Sequence, residues 1–192
     1  MRLVLKNAPW HDGERAKAWD DVDDILLGSW REAANDFYAE RLVRVAAGKK
    51  APKGIQSFLN DVLDRRFIEA GWEGEQGRFW VGECWCRITF RHQMSLGSDF
   101  LDALKVHARS GFRDLAIIGA TRSFLSVITP NDAAAIASHE KLWTEALDLN
   151  GCFDVPLLIG RLDPASALPP EVAAIVNGGR PRDVYVPGMD SS

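Results

Sequence analysis

GRFWVGECWCRITFRHQMSLGSDFLDALKVHARSGFRDLAIIGA, residues 77–120, is the stretch whose reading decides the fold. It reads as strand, strand, amphipathic helix and buried strand. Side chains alternate between the two sides of a strand, so Cys84, Cys86, Ile88 and Phe90 share one face, while Glu83, Trp85, Arg87, Thr89 and Arg91 share the other. The second face is predicted to be a polar, cationic row; the tryptophans read mostly as core, with stacking of Trp85 on a base as the lesser alternative. After Gly97, the positions of Phe100, Leu101, Leu104 and Val106 predict a helix; Lys105, His107 and Arg109 suit its last turn and Gly111 its end. Residues 115–120 have no polar member, as expected of a strand buried on both faces. Strand, crossover helix and strand make a βαβ unit, expected to be right-handed.

Working outward, 192 residues suffice for one domain with a real core. The expected organisation is an N-terminal helical part (1–54), a core (55–163) and a C-terminal tail (164–192). Three cysteines, two of them inside a strand, make no disulfide framework, and Cys84 and Cys86 read as buried small hydrophobes. No apolar run approaches the ~18 residues of a membrane span, and residues 1–10 lack signal-peptide character. The expected setting is therefore cytoplasmic.

The net charge of −4 gives no global attraction to nucleic acid, but the charge is unevenly spread. Residues 1–40 hold five basic and nine acidic side chains, whereas residues 41–66 hold seven basic and two acidic. A second basic stretch runs over 87–122, and the chain is acidic from residue 123 onward.

A helix is expected from Asp12 or Gly13 to Gly28, with Ala16, Trp19, Val22, Ile25 and Leu26 on one side and Asp20, Asp21, Asp23 and Asp24 on the other. The aspartates lack the glycine and terminal glutamate of an EF-hand loop and read as a solvated face. A second helix is expected over 30–47 and a third over 55–70, the latter with Ile55, Phe58, Leu59, Val62, Phe67 and Ile68 inward. Between them Gly48-Lys49-Lys50-Ala51-Pro52-Lys53-Gly54 is a basic loop suited to phosphates. Residues 1–5 suggest an edge strand, 124–128 an extension of the buried strand or a new one, and Thr129-Pro130-Asn131-Asp132 the start of a helix running to about Leu147. Residues 155–160 read as another buried strand, 171–176 as a short helix and 184–186 as a last strand. The class is α/β or α+β with a mixed central sheet.

Single residues add little chemistry. His92 and His107 read as a surface and a helix-end histidine. His139-Glu140 is not a zinc-protease pair, since the position for the second histidine is Trp143. Gly178-Gly179-Arg180 is too short for a phosphate loop.

Four pieces, taken in order, resemble the BglII/BamHI-type restriction endonucleases, type II enzymes of the PD-(D/E)XK fold. They are Phe67-Ile68-Glu69-Ala70-Gly71-Trp72; the unit from Phe90-Arg91-His92 through Ser98-Asp99-Phe100 to Gly111-Phe112-Arg113-Asp114-Leu115-Ala116-Ile117-Ile118; Ala137-Ser138-His139-Glu140-Lys141-Leu142; and Asp154-Val155-Pro156-Leu157-Leu158-Ile159-Gly160. The resemblance spans residues 58–163. It implies a restriction-endonuclease-like central mixed β-sheet flanked by helices.

It also implies where the chemistry of an active member would lie: a carboxylate on the first catalytic strand and a Glu-x-Glu, Glu-x-Gln or Glu-x-Lys on the second, holding Mg²⁺. Here the first position falls near Arg78, and the second pair falls on Arg87 and Thr89. The expected function is thus a catalytically degenerate, DNA-binding member without a cofactor. It would contact double-stranded DNA through Lys49, Lys50, Lys53, Arg87, Thr89, Arg91 and Arg122, as a homodimer or as the non-cutting subunit beside a nuclease or methyltransferase, with the helix over 30–47 a candidate dimer element. An active Mg²⁺-dependent type II endonuclease, a phosphodiester hydrolase, would need Glu83 and Asp99, with Asp102, as metal ligands; otherwise Asp99 and Asp102 read as capping and dipole partners of their helix. A structural module of a defence assembly without nucleic-acid contact is the remaining alternative.

Overall fold

The computed structural model of the chain describes residues 2–4, 13–149, 152 and 157–162. Their elements are β1 (Arg2–Val4), α1 (Gly13–Ala46), α2 (Gln56–Glu69), β2 (Glu73–Glu75), β3 (Arg78–Val81), β4 (Cys84–Thr89), α3 (Leu96–Ser110), β5 (Asp114–Ala120), α4 (Arg122–Ile128), α5 (His139–Asp148) and β6 (Leu157–Leu162), with a 3-10 turn at Gln93–Ser95 before α3. The class is mixed α and β.

The strands form one sheet in the order β1-β6-β5-β4-β3-β2. β2, β3 and β4 are an antiparallel meander with two-residue turns. Gln76 and Gly77 both have positive φ in the first turn, as a type I′ hairpin requires, and Gly82 supplies φ 54° at the first position of the second. β4, β5 and β6 are parallel, and β1 pairs antiparallel with β6 at the sheet edge. The βαβ reading of 84–120 matches these elements: α3 joins β4 to β5 and stops at Gly111, which is left-handed at φ 70°.

The sheet separates two apolar layers. Cys86, Ile88, Phe90, Ala116, Ile118 and Leu158 face α1, α2 and α4. Trp85, Leu115, Ile117 and Ile159 face Leu96, Phe100 and Ala103 of α3 and Leu142 of α5. Every residue of β4 and β5 is buried, because helices cover both faces.

Several expectations give way here. Helix α1 runs unbroken through Gly28, where a helix end was expected: a Cβ on Gly28 would lie 2.6 Å from Nη1 of Arg66, so the missing side chain admits that guanidinium. Arg66 passes over Gly28 to pair with Glu32 at 2.7 Å. Ile68, expected inward on α2, is exposed, while Leu63, outside the expected inward set, is buried, and Leu101 and Leu147 are exposed. Residues 124–128, read as strand, lie in α4; Thr121 Oγ1 accepts from the Phe124 N–H, and Phe124, Leu125 and Ile128 form a helical buried stripe. The following helix begins at His139, not near Pro130, because Ser138 is its cap, and the intervening chain pairs Ile136 with His92 in an isolated bridge. Trp85 is buried under α3 and α5, in line with the core reading and not with the alternative of stacking on a base. The readings at 171–176 and 184–186 lie outside the described residues. No helix of the described residues is long and apolar enough to cross a membrane.

Candidate nucleic-acid interface

Arg78 on β3 and Arg87 on β4 are cross-strand partners, and Thr89 lies two residues further along β4 on the same face. The three positions to which the family resemblance assigns metal carboxylates are therefore neighbours. Over them lies the start of α3, whose Asp99 and Asp102 point down onto the strands.

Asp99 is the hub. Its Oδ2 accepts from Thr89 Oγ1 at 2.8 Å, and its Oδ1 lies 3.1 Å from Arg91 Nη1 and 3.3 Å from Arg87 Nε. Arg87 Nη1 donates to the Gln76 carbonyl at 3.0 Å, tying the β2–β3 turn to the site. The other side of that turn is held by Asp64 of α2, which accepts from the Gln76 and Gly77 N–H groups at 3.1 and 3.3 Å. Arg78 Nη2 lies 3.4 Å from Asp102 Oδ2. Burial pulls the Arg87 guanidinium below its ordinary value and the charge of Asp99 opposes that pull; an arginine keeps its proton at neutral pH.

Exposure divides the cluster. The Arg87 and Asp99 side chains are 6 % and 1 % exposed, against 53 % for Arg78 and 40 % for Arg91. Direct phosphate contact by Arg87 or Thr89, as expected from the sequence, does not fit side chains sealed under α3; Arg78 and Arg91 are the accessible cations. The capping role expected of Asp99 is also corrected, since its two oxygens are occupied by Thr89, Arg91 and Arg87.

The remaining expected contacts lie elsewhere. Lys49, Lys50 and Lys53 follow the end of α1, on the α1/α2 side of the sheet, and Lys53 lines a cleft of about 820 Å³. Arg122 starts α4 and donates to the Ala133 carbonyl at 3.0 Å. The expected basic set is thus split by the sheet into two groups.

Glu83 and Asp99 do not meet. Glu83 precedes β4 and pairs with Arg113 at 3.5 Å, whereas Asp99 contacts the last residue of that strand; the strand between them spans ~17 Å. Among the described residues no group of three or more His, Cys, Asp or Glu is placed to hold a metal. With Asp99 and Asp102 turned onto arginines, these residues do not fit a magnesium ion.

Sequence reasoning took Asp99 for a helix-end residue. The signal that marks it is its spacing: Leu96, Asp99, Phe100 and Ala103 follow i, i+3, i+4, i+7 and are the buried residues of α3. A carboxylate on an inward stripe demands a cationic or hydrogen-bonding partner from the strand beneath.

No protein-family model, no curated protein and no solved structure matches this chain.

Proposed function

We propose that the chain is a restriction-endonuclease-like nucleic-acid-binding protein that does not cut. The observation that carries this reading is the gathering of Arg78, Arg87 and Thr89, at the positions where the resemblance expects metal carboxylates, beneath Asp99 and Asp102. A buried guanidinium stands where an active relative would hold a divalent cation. It supplies positive charge, but it has no vacant coordination position with which to bind and activate water. The two more exposed arginines beside it suit phosphate oxygens, to which guanidinium groups donate paired hydrogen bonds.

The mixed sheet with helices on both faces is consistent with this family reading. The same reading expects double-stranded DNA as ligand and a second copy, or a nuclease or methyltransferase subunit, as partner. Leu42, Val43 and Val45, exposed near the end of α1, are apolar residues suited to such a contact.

The test is incubation of the protein with mixed-sequence duplex DNA in Mg²⁺, in Mn²⁺ and in chelator, with cleavage and retention read on one gel. The expected result is retention in all three without cutting. Metal-dependent cutting, lost on substitution of Glu83 or Asp99, would favour the active-endonuclease alternative. Absence of both retention and cutting would favour a purely structural module.

A further inference from the structure

We infer that the cleft beside Lys53 is a second site, separate from the arginine cluster, and that it takes a small phosphate monoester bearing hydroxyl groups, of the sugar-phosphate or mononucleotide kind. Its walls are Arg44 at the end of α1, residues 52–54, 56–58 and 60, and residues 128–132, bounding about 820 Å³. That volume falls in the range of small-molecule sites, ~300–1,000 Å³.

The floor is fixed by backbone. The Ile55 N–H donates to the Ile128 carbonyl at 2.9 Å. A Cβ on Gly54 would lie 2.6 Å from that same oxygen, so only glycine lets the two loops meet this closely. Gln56 Nε2 reaches the Phe90 carbonyl at 3.4 Å, anchoring this corner to the end of the central sheet.

Two cations, Arg44 and Lys53, line the cleft. Lys53 is exposed and has no ion-pair partner among the described residues, and Arg44 of the same lining is paired with its helix neighbour Glu40. The first turn of α2 adds its N–H groups: Ile55 at the cap offers no side-chain hydrogen bond, and no acidic residue stands in that turn. A phosphate monoester carries close to two negative charges at neutral pH, which suits this combination better than the single charge of a backbone diester. The cleft is also bounded on two sides by loops, which admit a terminal group more readily than the side of a long duplex. Asn60, Asn131, Thr129 and the carboxylate of Asp132 line the remainder and suit hydroxyl groups rather than further charge.

The experiment is isothermal titration of the full chain with adenosine 5′-monophosphate, adenosine and inorganic phosphate, and with a short single-stranded oligonucleotide carrying either a 5′-phosphate or a 5′-hydroxyl. Adenosine 5′-monophosphate is expected to bind at least about tenfold more tightly than adenosine, and Lys53→Gln and Arg44→Gln to weaken it by about tenfold each. Both side chains are exposed, so melting temperature should be unchanged, which separates loss of binding from loss of fold. Arg78→Gln with Arg91→Gln should leave the affinity as it is, so that this site and the arginine cluster fail or succeed independently. Tighter binding of the 5′-phosphorylated oligonucleotide than of the free nucleotide would name a strand end as the source of the phosphate, and the reverse order a metabolite. Equal binding of nucleotide and nucleoside, no binding of any phosphate compound, or an affinity indifferent to Lys53→Gln would overturn the proposal.

Discussion

Nε of Arg87 lies 3.3 Å from Oδ1 of Asp99, and neither side chain is more than 6 % exposed. A buried ion pair contributes little net stability, because desolvating both charges offsets their attraction. Removing one partner alone is costly, because the other charge stays buried without compensation.

Asp99→Ala would leave the buried Arg87 guanidinium without its facing carboxylate, its one hydrogen bond to the Gln76 carbonyl unchanged, and would strip Thr89 of its acceptor. The expected loss is ~3–5 kcal/mol, read as a shift of the denaturant midpoint at constant slope. Removing the charge from both sides, in Asp99→Leu with Arg87→Met, should recover most of that loss. A double variant no more stable than Asp99→Ala would mean that Asp99 acts through Thr89 or Arg91 and not through Arg87.

This pair also marks the limit of what the sequence discloses. The βαβ unit was legible because periodicity reports which face of each element is buried: Cys84, Cys86 and Ile88 on one side, residues 115–120 on both. The joining of two expected helices into α1 was not, because Gly28 marks a close crossing by a side chain 38 positions away, and local propensity carries no record of it. Likewise α4 was taken for a strand, since Phe124-Leu125-Ser126-Val127-Ile128 has high β propensity and the cap at Thr121 and the apolar pocket beneath override it. The arginine row was visible, but not the burial of Arg87 within it. An alternating strand shows two faces without saying that a helix will seal the polar one.

Arg78 and Arg91 are the exposed members of the cluster, so the nucleic-acid reading puts the phosphate contacts on them. Arg78→Gln and Arg91→Gln should each weaken duplex retention at low salt and lower the slope of log affinity against log salt by about 0.9 for each phosphate no longer neutralised. Arg78→Gln should cost no more than ~1 kcal/mol of stability, because its pair with Asp102 is weak and exposed, whereas Arg91→Gln should cost more, because it removes one of the two cations facing the buried Asp99. An unchanged salt slope in the double variant would move the interface to the Lys49, Lys50 and Lys53 side of the sheet.

The β2–β3 turn tests how firmly the floor of the site is held. Gly77 has φ 74° and a Cβ there would sit 2.5 Å from the Ile88 carbonyl, whereas Gly82 has φ 54° with open space around it. Gly82→Ala is expected to cost roughly 1–2 kcal/mol, for the left-handed backbone alone. Gly77→Ala adds a clash with backbone that also carries the Ile88-to-Gly77 hydrogen bond, and is expected to cost ~2–5 kcal/mol. Thermal melts of the two variants side by side give the order; equal losses would show that the turn shifts to accommodate a methyl group.

His139, the first residue of α5, stacks on Trp143, and its Nε2 is buried without a hydrogen-bond partner among the described residues. Burial holds its imidazole below the ordinary value of 6.5; Arg161 acts in the same direction and Glu140 against it. With the folded value below the unfolded one, the ring is neutral in both states above 6.5, and its contribution to stability is then complete. As pH falls below that value the unfolded chain takes up the proton first, so the contribution is lost on the way down to the folded value. His139→Gln should therefore flatten the fall in melting temperature between about pH 7 and pH 5 relative to the parent chain, with the two curves differing least at the upper end. Parallel curves across that interval would mean that the ring is solvated in both states, and would remove burial as the cause.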